Sequence, residues 1–451
     1  MADTTESQSH TEVDLESLEK HDVPQDTIDD NDDLQKSERS QAPAAAAAPP
    51  EAPEGGTKAW LAVLGASAAL FTSFGWTNCI GLFQDEYQSN QLKGYSSSTV
   101  SWITSVQFFF MLAMAPVAGK VFDSYGPRVP LFAGSVAHVF GLMMTSLCKE
   151  YYQFFLSQSV VSGIGASFIF TPALSAPQTY FRKHRGVAAG LSVAGSSLGG
   201  VIFPLMVQHL LPQVGFGWTM RICAFLILGM LVIANTCISS ALPHKPRPFY
   251  IMQYIAPLKD LNFLVLCISE FFMFLAMLIP FNYIVTAAIR YGMSTYLAWG
   301  LVPILNGASL IGRTLPNYIA DKSGRFNVMT MMSGLSTILV LALWLPGHNN
   351  AAIICFAAFF GFSSGGVIGL GPSLIATISP MNEIGFRMGV FMAFTSIGAL
   401  VGPPVAGAII SADNGSYTFV AVFSGLCFAI ATMGMALLRV RLVGVGLKAK
   451  I

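Results

Sequence analysis

Long apolar stretches alternate with short polar connections through residues 58–451. In the first half, uncharged intervals run 59–84, 94–119, 129–148, 151–181, 186–220 and 222–243. In the second half they run 261–289 (interrupted by Glu270), 291–321 (interrupted by Arg313), 326–382, 388–412 and 414–438. A helix needs about 20 mostly apolar residues to cross ~30 Å of hydrocarbon. The interval 326–382 is too long for one crossing, and the turn signal "LPGHNN" at Leu345–Asn350 divides it. The pattern predicts an all-α membrane protein of twelve transmembrane helices. Six lie on each side of the polar connection "PHKPRPFYIMQYIAPLKD", Pro243–Asp260.

Composition agrees: 53% of residues are hydrophobic and 11% charged, against roughly 25% charged in a soluble globular chain. The formal net charge of zero hides two opposed parts. Residues 1–57 hold 15 acidic and 3 basic residues, and residues 58–451 hold 9 acidic and 21 basic. The acidic segment has no aromatic residue and too little apolar surface to offset the entropy of ordering, so it reads as a disordered tail. It lacks the basic start and apolar core of a cleaved signal. The expected organisation is a tail (1–57), a six-helix bundle (58–241), a linker (242–260), a second six-helix bundle (261–440) and a short C-terminal tail (441–451).

Loop charges orient the spans. With the N-terminal tail in the cytoplasm, sixteen Lys and Arg fall on the inside, from Lys58 and Lys120 to Lys448 and Lys450. Only Lys93, Lys149 and Arg290 fall in outside loops. Both termini are expected in the cytoplasm, with the protein most at home in the plasma membrane. The basic knot Arg182–Arg185 becomes an inside loop able to meet anionic lipid headgroups. The seven cysteines show no paired spacing, and the seven histidines are scattered without metal-ligand spacing. No metal, cofactor or nucleic-acid partner is expected, and no nucleophile–base pair of an enzyme is legible. Gly119-Lys120 is followed by valine, so there is no ATP-binding P-loop.

The halves repeat. "GKVFDSYGPR" (Gly119–Arg128) follows span two and "NYIADKSGRF" (Asn317–Phe326) follows span eight. A shift of 198 residues lays Asp123 on Asp321 and Gly126 on Gly324. Glycine permits the tight turn, and an aspartate near a helix end can pair with loop cations such as Arg128 and Arg325. Such pairs would hold the two bundles together on the inside in one conformational state. A looser echo joins "FRKHRGVAAG" before span five to "FRMGVFMAF" before span eleven.

Twelve spans in two sixes, with the D-x-x-G loop in each half, resemble the major facilitator superfamily. "EGGTKAW" (Glu54–Trp60) and "YFRKHRGVAAGLSVAGSSLG" (Tyr180–Gly199) resemble the two signatures of its monocarboxylate porter family, and the acidic tail resembles that family's fungal branch. The resemblance implies two pseudo-symmetric bundles that rock about a substrate site at the midplane.

Ionisable groups inside spans are costly and point to function. Glu270 lies nine residues into span seven and Arg313 eight residues before Asp321. Both sit roughly 12–14 Å deep, at matched depth for pairing. Glu270 is the candidate for proton coupling. Arg313, whose planar fork suits a carboxylate, is the candidate substrate-binding residue, with Asn78 and Asn306 beside the path. Gln107, His138 and Asn282 are secondary polar candidates. The lactate-type carriers of the family place a lysine where this chain has Asn78 and an aspartate where it has Ser309. The expected cargo is therefore a larger organic anion or polyketide-like metabolite, moved outward by a secondary-active fungal transporter, with protons as the coupled ion and membrane lipid as surroundings. The alternatives are proton-coupled uptake of a monocarboxylate or vitamin, and a non-transporting membrane sensor. The strings Gly195-x-x-x-Gly199, Gly361-x-x-x-Gly365 and Gly398-x-x-x-Gly402 are expected to let helices pack closely.

Overall fold

A computed structural model describes residues 54–78, 83, 86–95, 97–246, 250 and 252–446. The acidic tail before Glu54, Cys79, Arg247, Lys448 and Lys450 lie outside the described residues.

Apolar runs become helices because hydrocarbon offers the backbone no other partner for its N–H and C=O groups. The spans are α1 (Thr57–Thr77), α2 (Trp102–Tyr125), α3 (Arg128–Thr145) and α4 (Tyr151–Thr179). A 53-residue helical segment, Arg185–Cys237, follows. Gly215 interrupts it with φ 72° and ψ 171°, a conformation that side-chain-bearing residues resist. The segment is therefore two crossings, α5 (185–214) and α6 (216–237). The second half comprises α7 (Leu261–Arg290), α8 (Thr295–Ser323), α9 (Arg325–Trp344), α10 (Asn350–Ile378), α11 (Met381–Ala412) and α12 (Thr418–Val443). The described residues thus contain twelve spans. The α5/α6 boundary falls six residues before Arg221, whereas the charge pattern placed it at Arg221 itself. Arg221 instead sits inside α6, donating to Ser146 Oγ at 3.1 Å with its guanidinium 5.1 Å from the Trp218 ring centre.

Local chemistry sets several ends. Asp260 accepts from the Asn262 amide at 3.0 Å to open α7. Asn349 Oδ1 accepts from the Ala352 amide at 2.7 Å to open α10. The turns after α2 and α8 use Gly126 (φ 80°) and Gly324 (φ 97°), as the repeated motif predicts.

Each Gly-x-x-x-Gly string marks a close helix pair. A Cβ on Gly195 would stand 2.0 Å from the Ser67 carbonyl oxygen of α1, one on Gly361 2.3 Å from that of Leu305 in α8, and one on Gly398 2.5 Å from that of Phe271 in α7. So α5 packs on α1, α10 on α8 and α11 on α7. The first and third contacts are repeat-related. His138 is fully buried, with ring nitrogens 3.1 Å from the Ser162 carbonyl and 3.2 Å from the Thr72 carbonyl, and so is a packed histidine tying α3 to α4 and α1. Gln107 is buried in the same α2–α4 seam, donating to Ser162 Oγ at 3.3 Å. Asn282 is exposed and donates to the Leu278 carbonyl of its own helix at 2.8 Å.

Candidate functional site

Two features lie between the halves: a cavity near mid-depth, and a latch on the face that carries both chain ends, here the terminal face.

The cavity is lined from both halves. Phe74, Phe170, Val193 and Ser196 come from α1, α4 and α5; Glu270, Phe274, Phe391 and Met392 come from α7 and α11. Glu270 is the single ionisable side chain among the lining residues. It is 1% exposed, and its Oε1 has no hydrogen-bond partner. The space open to a water centre is about 20 Å³, enough for about one water. Walls this close leave no room for a metabolite until the halves move.

Arg313 is brought near this cavity but does not line it. Its Nη1 donates to the Val193 carbonyl at 3.1 Å and to Ser196 Oγ, while its guanidinium stands 5.7 Å from the Phe74 ring centre. The matched depths of Glu270 and Arg313 do not become an ion pair: the described salt bridges include neither residue. Helical phase decides this, turning Arg313 toward α5 rather than α7. Asn78, just past the end of α1, and Asn306 of α8 converge on Gly200 of α5. A Cβ there would lie 2.7 Å from Asn78 Nδ2 and 2.9 Å from Asn306 Oδ1. Asn306 Oδ1 is buried without a partner.

The latch is built twice. Asp123, near the end of α2, accepts from the Gly385 amide at 3.0 Å and the Phe386 amide at 2.7 Å. Asp321, near the end of α8, accepts from the Gly186 amide at 2.8 Å and the Val187 amide at 2.9 Å. A carboxylate thus sits on the N-terminal amides of α11 or α5, where unpaired donors and the helix dipole favour negative charge. The helices approach closely to allow it. A Cβ on Gly119 would lie 2.0 Å from the Gly385 carbonyl oxygen, and one on Gly190 2.3 Å from that of Arg313.

The two copies differ in their cations. Arg325 is buried, pairs with Asp321 at 3.0 Å and donates to the Arg182 carbonyl at 2.9 Å and the Lys183 carbonyl at 3.2 Å. Arg128 is exposed and takes no part in the described hydrogen bonds or ion pairs. The expected pair with the loop arginine therefore forms at Asp321 and not at Asp123, whose carboxylate is held by the backbone amides of α11 with Lys120 of its own helix as the nearby cation.

Two latch residues act otherwise than the sequence suggests. Arg185, expected with its basic neighbours to meet lipid headgroups, is buried and donates to the Ala376 carbonyl of α10 at 2.7 Å, joining the halves. Glu54 accepts from the Arg182 amide at 2.6 Å and from the Lys183 amide, with His184 Nδ1 at 3.4 Å. Partial burial pushes its carboxyl upward, but the Lys183 and Arg182 amides and His184 outweigh that and hold it below its ordinary value. Glu54 and the basic knot were visible in the sequence; their contact across 128 residues was not.

Twelve spans in two repeat-related sets, a cavity between them and a double latch at one face define an integral, multi-pass membrane carrier. The profile of the Major Facilitator Superfamily matches residues 62–369 and 317–448, and the chain belongs to that superfamily of transporters. It is 67% identical over 404 residues to "MFS-type transporter opdF" of Penicillium oxalicum, covering 90% of this chain and 95% of that one. It is 42% identical over 375 residues to "Fujikurins efflux protein" of Gibberella fujikuroi, covering 83% and 81%. Among solved structures, the MFS transporter FucP in the outward conformation superposes with a TM-score of 0.66 at 16% identity, covering 84% of this chain and 98% of that one. That likeness concerns the fold.

Proposed function

We propose that the protein exports a fungal secondary metabolite across the plasma membrane by alternating access, with both termini cytoplasmic and no enzymatic step. The observation that carries alternating access is the mid-depth cavity, lined by both halves and closed beneath by the two latches. Rigid halves (58–241 and 261–440) rocking about such a cavity expose it to one side at a time. The terminal face is the cytoplasmic one on the loop-charge rule, so the described state is closed to the cytoplasm, and Asp123, Gly126, Arg128, Asp321, Gly324 and Arg325 form its gate region. Export is favoured by the similarity to the fujikurins efflux protein of Gibberella fujikuroi. Membership of the monocarboxylate porter branch rests on the Glu54–Trp60 and Tyr180–Gly199 segments.

Within this scheme Glu270 is the proton-coupling group, alternately protonated and engaged with cargo. Arg313 acts on the cargo through the Ser196 hydroxyl it holds, and Asn78 and Asn306 border the path at Gly200. The cargo is polyketide-like, since aromatic and aliphatic side chains form most of the wall. Export is tested by deleting the gene in its native host and quantifying pathway metabolites in medium and mycelium. The expected result is accumulation in mycelium, restored to the medium by the wild-type gene. An unchanged partition between the two refutes export. An outward flux in vesicles that ignores an imposed pH gradient refutes the proton coupling.

A further inference from the structure

The cavity carries information about its cargo beyond its being apolar. Resting on the transport reading above, we infer that the cargo binds as an electrically neutral, mostly apolar molecule that presents an N–H or O–H donor to Glu270, and not as a carboxylate anion held by Arg313.

The first ground is the position of the two ions. Glu270 faces the cavity, and its Oε1 is buried without a partner. An acceptor left unmade in a low-dielectric wall is costly, and a donor from the cargo removes that cost. Arg313 is not among the residues that line the cavity. Its Nη1 donates to the Val193 carbonyl and the Ser196 hydroxyl of α5. Its Nε is buried without a partner and its guanidinium stands over Phe74, so that spare donor lies outside the cavity lining. An entering molecule therefore meets the Ser196 hydroxyl and the Glu270 carboxyl before it meets any cation.

The second ground is the cost of an anion. The remaining lining includes Phe74, Phe170, Phe274, Phe391 and Met392, none of which stabilises negative charge. A carboxylate brought here would be desolvated without a facing cation, which is strongly unfavourable. If Glu270 were ionised, like-charge repulsion would add to that. A neutral lactam, phenol or amide bears no such penalty. Its flat body suits aromatic walls and its donor suits the open acceptor.

Three aromatic probes of similar size separate the alternatives: 2-quinolone (neutral, with an N–H donor), N-methyl-2-quinolone (donor removed) and 2-naphthoate (anionic). Affinities are measured by calorimetry with the full chain in lipid nanodiscs. The expected order places 2-quinolone about 10-fold tighter than N-methyl-2-quinolone, the worth of one hydrogen bond to a charged or buried acceptor, with 2-naphthoate weakest. Glu270→Leu should bring the first two within about 2-fold of each other, the donor having lost its acceptor. Glu270→Gln, which keeps an acceptor, should retain the difference. Tightest binding by 2-naphthoate overturns the inference, as does a quinolone preference that survives Glu270→Leu, or no 2-quinolone binding up to its solubility limit. Should Glu270→Leu fail to assemble, the wild-type ranking decides. These outcomes concern cargo chemistry alone, while an unchanged metabolite partition after gene deletion refutes export whatever the probes do.

Discussion

Replacing Gly119 with alanine should unlatch the terminal face, and the structure supplies the size of the effect. The new Cβ would stand 2.0 Å from the Gly385 carbonyl oxygen, and the three nearest atoms around it are all backbone. Neither α2 nor α11 can relieve the overlap by turning a side chain, so the helices must part by about 1 Å to reach tolerable contact. The Asp123 bonds to the Gly385 and Phe386 amides, 3.0 and 2.7 Å long, then stretch toward or past the limit of a useful hydrogen bond. Each bond to a charged group contributes about 1.5–3 kcal/mol. Losing both at the lower figure removes about 3 kcal/mol, a shift of roughly 150-fold toward the unlatched state. Hydrogen exchange with mass spectrometry reads this directly, because the donors are backbone amides. Amides 385–386 should exchange about 100-fold faster in Gly119→Ala. If the halves move as rigid bodies, amides 186–187 on the distant α5 should speed up with them. Unchanged exchange at 385–386 in a folded variant refutes the steric argument. Acceleration confined to 385–386 refutes the rigid-body coupling of the two latches.

Other perturbations separate the remaining roles. Glu54→Gln should free the 181–185 loop, seen as several-fold faster trypsin cleavage after Lys183; wild-type-like cleavage would refute the anchoring role. Because the Glu54 carboxyl titrates below its ordinary value, its contribution is complete above the unfolded pKa and disappears as pH falls through the lowered one. Cleavage in the wild type should therefore be flat from about pH 6 to 8 and rise only in acid. Arg313→Met should cost about 1–3 kcal/mol by removing the guanidinium donor from Ser196 Oγ and from the Val193 carbonyl, which keeps its bond from the Ser196 hydroxyl, read as a lower Tm of the empty protein; an unchanged Tm would refute its anchoring of α5. Glu270→Gln should abolish stimulation of flux by a pH gradient while leaving exchange without a gradient measurable; retained stimulation would place the proton elsewhere.

The twelve spans were legible because hydrocarbon thickness imposes run length, and run length survives in a single sequence. The latch was half legible. Repetition exposed Asp123 and Asp321, but their partners are backbone amides, which no residue type announces. The α5/α6 break at Gly215 escaped the charge pattern because charge marks where water begins, while a backbone break needs a residue tolerant of φ 72°. Arg313 was legible as important but not in its partner. Asn306, Ser309, Arg313 and Asn317 recur at helical spacing and mark the inward face of α8, but periodicity does not say which neighbour that face meets, so its engagement with α5 and the position of Glu270 at the cavity required coordinates. For the same reason Ser196, Phe74 and Phe391 carried no signal as wall residues.

The latch divides its two partners unequally between genotype and geometry. The acceptors, Asp123 and Asp321, are encoded by single codons, and changing either removes its charge. The donors at Gly186, Val187, Gly385 and Phe386 belong to the peptide chain itself, so among the natural residues only proline deletes one outright. At Val187, which is only half-buried, the side chain can drift without altering the donor, whereas Phe386 is held by its burial and its packing on the Tyr254 ring. A loop on this face can therefore acquire new regulatory or membrane-contacting side chains while the lock beneath it stays mechanically the same.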